Sequence, residues 1–216
     1  MENVAYCLQM RDTVYVMQQA ARSDRVLGLA RKTSIVRPRD VERIGVPREY
    51  LLRLHRAGQL ERIGRGLYRL PNSPVTERHN FAQVASRVPH AVICLLSALV
   101  FHDIGTQNPF EVWIAIPRGS RPPKLNTPQL RVTTLSGTAY SKGIEEHLIE
   151  GVTVRIYGVA KTVVDCFRFR NKIGLDVALE ALRESIRSKK TTINEINRYA
   201  KLLRLERVMR PYLESQ

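Results

Sequence analysis

Between Asp24 and Leu70 the prolines and glycines stand where they permit one order of elements. Pro38 at a first helical position, with Asp40 in the first turn, opens a short helix predicted over 38–44, and Gly45 ends it. Pro47 opens the next helix, predicted to run to Ala57, and Gly58 stops it at the left-handed position that follows a helix. Upstream, Ser23 or Asp24 is read as the cap of a helix running to about Lys32, with Val26, Leu27 and Ala30 as its apolar stripe. Ile35 and Val36 read as a short strand or extended link. Leu60–Ile63 and Leu67–Leu70 read as strands around the turn Gly64-Arg65-Gly66. Helix, helix, turn, helix, hairpin is the order of a winged helix-turn-helix.

At 100° per residue the helix after Pro47 is two-sided. Tyr50, Leu51, Leu54 and Ala57 fall on one face; Arg48, Leu52, Arg56, Glu49 and Arg53 fall on the other. The apolar face can hold the helix on its own domain. The other face fits the major groove of double-stranded DNA, where Arg bonds guanine O6 and N7 and Leu52 can touch a thymine methyl. A solvated charged face and a winged helix used only for protein contacts are the competing readings. Packing of Leu52 against the preceding helix competes with its base contact. The turn ahead of the helix and the basic glycine hairpin behind it favour DNA. In that hairpin Arg65 sits at the tip, placed for a phosphate or a narrow minor groove. Arg62 and Arg69 are read as phosphate contacts, as are Arg37 and Arg39 at the start of the 38–44 helix.

Charge agrees with a polyanionic partner. The 216 residues carry 35 Lys and Arg against 20 Asp and Glu, a net +15. Such an excess points first to nucleic acid and next to an anionic membrane. It is unevenly spread: residues 1–78 hold 15 basic and 8 acidic side chains, 79–160 hold 7 and 5, and 161–216 hold 13 and 7. The basic residues of the N-terminal stretch are almost all Arg, which forks onto phosphate and guanine. No run approaches the ~20 apolar residues of a membrane span. Residues 1–20 carry Glu2, Arg11 and Asp12 and lack the apolar stretch of a signal peptide, so a cytoplasmic protein is expected.

The fold class expected is α+β: an N-terminal extension (residues 1–22), a winged helix-turn-helix (23–71) and a mixed α/β C-terminal domain (77–216), with Pro71-Asn72-Ser73-Pro74 as linker. In the C-terminal domain, helices are predicted over 78–88, 91–102, 159–169, 175–187 and 193–205. Strands are predicted over 111–116, 130–134, 145–149 and 152–156, with a proline-rich loop over 117–128. Thr192 and Glu195 are spaced as a capping box.

Catalytic chemistry finds no foothold in the sequence. The chain has no glycine-rich phosphate loop, no G-x-S-x-G elbow and no paired aspartates on one strand. His102-Asp103 is read as a structural histidine beside an acid rather than an acid–base pair. Lys161 and Asp165 share a helix face and read as an intrahelical ion pair. Cys7, Cys94 and Cys166 are odd in number and far apart, which excludes a disulfide framework; Cys94 and Cys166 are expected buried and reduced. No catalytic residue, metal or cofactor is expected.

Three stretches together resemble the AbiEi-type antitoxins of bacterial abortive-infection toxin–antitoxin systems. They are Arg53–Arg69 (RLHRAGQLERIGRGLYR), Leu96–Gly105 (LSALVFHDIG) followed by Val112–Pro117 (VWIAIP), and Gly158–Asp165 (GVAKTVVD). The family commonly has Arg where Lys161 stands. The resemblance implies a DNA-binding repressor of its own operon. It also implies a C-terminal domain that counters a nucleotidyltransferase-like toxin, with or without direct contact. A winged-helix regulator whose second domain binds a ligand or dimerises, with no toxin partner, and a DNA-targeted nuclease are the alternatives.

Overall fold

The computed structural model describes residues 2–33, 35–71, 78–125 and 127–215, with side chains of the first helix described from Met17 on. The chain forms two compact units: residues 1–76 with 150–152, and residues 77–149 with 153–216. Asn72, Ser73 and Pro74 of the expected linker lie outside the described residues.

The first unit begins with α1 (Glu2–Thr33), one unbroken helix. No helix starts at Ser23 or Asp24, which corrects the expectation. Gln18-Gln19-Ala20-Ala21-Arg22 are strong helix formers, and no proline precedes Pro38. Residues 2–22 are therefore continuous with the helix that carries Val26 and Ala30. Then follow α2 (Pro38–Arg43), α3 (Glu49–Arg56), β1 (Glu61–Gly64) and β2 (Leu67–Arg69). Pro38 stands at the start of α2, where a missing N–H costs nothing. Asp40 accepts hydrogen bonds from the Arg37 backbone N–H (3.1 Å) and from Arg37 Nε (2.9 Å), closing that helix end. Gly45 and Gly58 both lie at positive φ, 72° and 70°, as their positions after α2 and α3 demand. Val36 bridges Tyr68 through hydrogen bonds of 2.7 and 3.0 Å, adding a third extended segment to the β1–β2 hairpin. Val26, Val36, Val41, Val46, Tyr50, Leu51, Leu54 and Leu60 form the core of this unit.

The second unit is built on a mixed five-stranded sheet of order β5-β4-β3-β7-β6. Its strands are β3 (Val92–Ile93), β4 (Val112–Pro117), β5 (Leu130–Leu135), β6 (Ile144–Ile149) and β7 (Val152–Tyr157). β3 pairs antiparallel with β4 and parallel with β7, and β4 pairs parallel with β5. The helices are α4 (His79–Arg87), α5 (Leu95–Phe101), α6 (Thr138–Ser141), α7 (Val159–Arg168), α8 (Arg170–Ile173), α9 (Leu175–Arg187), α10 (Ile193–Leu202) and α11 (Glu206–Leu213). The helix expected over 91–102 is shorter. Val92 and Ile93 are instead the central strand, because two β-branched residues enclosed by β4 and β7 complete both ladders. α6, α8 and α11 were not foreseen; each is short, and α11 carries Pro211. The capping box of α10 is present: Thr192 Oγ1 accepts from the Glu195 backbone N–H, and Glu195 accepts from the Thr192 N–H, both at 3.2 Å. α7 lies in the middle of the core, buried continuously from Ala160 to Phe167, with α5, α9 and α10 packed against it.

Candidate nucleic-acid interface

α3 takes its orientation from burial. Tyr50, Leu51 and Leu54 are almost wholly buried, at 3%, 1% and 2% exposure. Each contributes about 1.5–3 kcal/mol by leaving water. Their burial turns Arg48, Leu52, Arg53 and Arg56 to solvent, and all four are exposed. Leu52, at 41% exposure, is a half-free apolar side chain among guanidiniums. Ala57 is also exposed, not inward as helical periodicity predicts, because it follows the last residue of α3 and the chain is already turning at Gly58. The link from α2 to α3 is tight: Gly45 N–H donates to Glu42 O (2.9 Å), and Val46 N–H to Val41 O (3.1 Å). Arg25 on α1 donates to the Ile44 carbonyl at the end of α2.

Arg53 is held in place by two contacts. Its Nη1 donates to Gln19 Oε1 at 2.6 Å, and its guanidinium lies 5.4 Å from the Tyr50 ring centroid. Gln19 belongs to the stretch that sequence reasoning left without a role. A single glutamine on a helix carries no signal that would have singled it out. Beside these residues lies a depression lined by Glu49, Tyr50, Leu52, Arg53 and Arg56.

The hairpin presents its own cations. Gly64 pairs with Leu67, leaving Arg65 and Gly66 as a two-residue turn with Gly66 at φ 71°. A bulge between Arg62 and Gly64 bends β1, and Arg62 Nε donates to the Gly64 carbonyl at 3.2 Å. Arg62 and Arg65 are exposed. Arg69 is different: its Nε and Nη2 both lie 2.9 Å from Glu61 Oε2, and its side chain is 19% exposed. Arg37 likewise is taken by Asp40, whereas Arg39 remains 59% exposed and only grazes that carboxylate at 4.0 Å. The nine positions read from sequence thus separate into two sets. Arg39, Arg48, Leu52, Arg53, Arg56, Arg62 and Arg65 are open to solvent; Arg37 and Arg69 already have carboxylate partners.

Residues 24–71, which span these elements, match the family model described as "Transcriptional regulator, AbiEi antitoxin". The N-terminal module is therefore similar to the AbiEi type. No curated protein matches the chain by sequence. Among solved structures, the RV2827C protein from Mycobacterium tuberculosis is similar in fold. The likeness has a TM-score of 0.55 at 15% identity, and covers 84% of this chain and 71% of that one. It therefore extends beyond the AbiEi-type module and concerns the fold alone.

Outside that module, the residues weighed for catalysis have structural roles. His102 Nε2 lies 2.8 Å from the Tyr157 carbonyl, and its ring packs edge-on against Phe101. Burial holds its pKa below the usual histidine value. Asp103 points away, 78% exposed, with Arg78 3.9 Å from it. Lys161 and Asp165 are ion-paired as their spacing predicts, but they are fully buried, at 0% and 1% exposure. The Tyr157 ring lies 4.0 Å from the Lys161 ammonium. Burial pushes the Asp165 carboxyl up and the Lys161 ammonium down, and each partner opposes the other's shift. Cys94 and Cys166 are buried free thiols whose pKa values burial raises. Among the described residues no group of His, Cys, Asp and Glu could hold a metal ion, and no helix is long and apolar enough to cross a membrane.

Proposed function

We propose that this protein is a DNA-binding antitoxin that represses its own operon and counters a nucleotidyltransferase-like toxin encoded beside it. In this reading residues 23–71 read double-stranded DNA. α3 enters the major groove, with Arg48, Arg53 and Arg56 at base edges and Leu52 at a thymine methyl. Arg39, Arg62 and Arg65 hold phosphates, and Arg65 is also placed for a narrow minor groove. Arg37 and Arg69 can join them only by exchanging a carboxylate for a phosphate, so they serve chiefly to brace α2 and the hairpin. Residues 77–216 supply the antitoxin activity, by binding rather than catalysis, in the cytoplasm where the DNA is. The observation that carries the DNA half is the exposed arginine face of α3, set opposite an apolar face locked into its own core. The family description of residues 24–71 supports both halves.

Two measurements test it. Repression of a reporter driven by the protein's own promoter is expected from the native chain and lost in the Arg53→Ala, Arg56→Ala double variant. Co-expression is expected to restore growth to cells carrying the neighbouring toxin gene. Continued growth arrest would remove the antitoxin half and leave a winged-helix regulator.

A further inference from the structure

We propose that the second unit binds a small molecule carrying two or more phosphoryl groups, in a cleft at the carboxyl ends of β4 and β5. These two strands run parallel, so both end on the same side of the sheet, at Pro117 and Leu135. The crevice beyond the carboxyl ends of parallel strands is where open α/β sheets place their ligands. Here it is a cavity of about 730 Å³, within the usual range for cofactor-sized ligands.

Its lining is cationic and hydroxylic. Arg118 follows β4, Arg168 ends α7 and Arg204 follows α10, and Thr134, Ser136 and Thr138 line the same cavity. No acidic residue lines it among the described residues. This contrasts with the arginines at positions 37 and 69, each neutralised by a carboxylate. Three guanidiniums gathered in a cleft that no acid lines among the described residues repel one another, and an anion with several negative charges relieves that repulsion. Hydroxyls on the wall add donors that suit phosphoryl oxygens.

Two details show that the arginines are positioned. Arg168 Nη2 donates to the Leu203 carbonyl at 2.9 Å, while its Nε is buried with no hydrogen-bond partner. Arg204 lies in the left-handed region, at φ 58°, just past the end of α10. Glycine is the residue favoured there, and a side chain costs about 1 kcal/mol or more. Holding an arginine in that conformation aims a guanidinium at the cleft at a cost to the fold, as functional sites often do. Among the described residues no aromatic side chain lines the cavity, so the stacking platform of a single-stranded nucleic-acid track is lacking there, and a compact polyanion fits better.

Titration calorimetry on the full chain at physiological salt tests this, with tripolyphosphate and ATP as probes and orthophosphate for comparison. One saturable site for the two polyphosphates is expected, weakened tenfold or more in Arg118→Ala and in Arg204→Gly. The second variant suits the left-handed backbone at 204 while removing the arginine side chain. The Arg53→Ala, Arg56→Ala variant should bind as tightly as the native chain. Equal loss in that variant, or binding that does not saturate, would show attraction to the general basic surface and overturn the proposal. So would orthophosphate binding as tightly as tripolyphosphate. An oligonucleotide that binds through Arg118 and Arg204 where the polyphosphates do not would also overturn it, in favour of nucleic acid.

Discussion

α3 and α7 use charge in opposite ways. Both carry charged residues a helical turn apart. In α3 the cations Arg48, Arg53 and Arg56 stand in solvent and the apolar residues face inward. In α7 the charged residues Lys161 and Asp165 are themselves inside, and nearly the whole helix is enclosed. A surface cation is cheap to keep and free to meet a phosphate. A buried pair has been stripped of water, and each member depends on the other. The two helices show that charges about a helical turn apart can stand open in solvent or lock together inside the core, and that burial decides which.

The contrast is broken most directly at Lys161. Lys161→Met leaves Asp165 buried without its ion-pair partner and is expected to cost about 3–5 kcal/mol, read from urea unfolding. Adding Asp165→Leu should recover most of that loss, whereas a surface pair would show little effect in either variant. At α3 the expectation reverses. Arg53→Ala and Arg56→Ala should each cost about 1–3 kcal/mol in binding to the protein's own promoter, measured by fluorescence anisotropy. Their unfolding free energy should stay within about 0.5 kcal/mol of the native value. Substantial unfolding with either would make the arginine face structural, like that of α7.

A smaller effect is expected at Arg65. Its replacement by Ala should weaken binding to all DNA sequences alike and reduce the slope of log affinity against log salt by about 0.9. A sequence-dependent loss would instead place Arg65 on base edges. The smallest effect concerns α10, which packs on α7. Thr192→Ala removes the cap of α10 and should cost about 1 kcal/mol, seen as a lower Tm. Hydrogen bonds from Thr191 and Thr192 hold the Glu195 carboxyl below its usual pKa. A depressed folded-state pKa gives stability that is present above the unfolded value and lost as pH falls through the folded one. The acid limb of the Tm profile should therefore flatten in Glu195→Gln.

Legibility differs between the units for the same reason. The order of elements from α2 to β2 is readable because Pro38, Gly45, Gly58 and Gly66 act locally: each sets or forbids a backbone conformation regardless of what surrounds it. Val92 and Ile93 read as helix in the sequence because a short apolar run has no period of its own; the ladders to β4 and β7 make it a strand. Likewise no sequence pattern joins Arg118, Arg168 and Arg204, which lie in three separate stretches and meet only through the fold.

What the chain of residues determined alone was local: where helices and turns begin and end in the winged module, which side of α3 is apolar, and that the net charge seeks a polyanion. Backbone stereochemistry and helical periodicity act over a few residues, so they survive without knowledge of the rest. Tertiary structure decided which charges lose their water. It buried Lys161 with Asp165, left Arg48, Arg53 and Arg56 in solvent, and gathered three arginines in a cleft with no acid lining it among the described residues. The partners of the ion pairs at Arg37, Arg69 and Lys161 lie close in sequence, but loss of water depends on neighbours distant in sequence, and only packing brings those neighbours together.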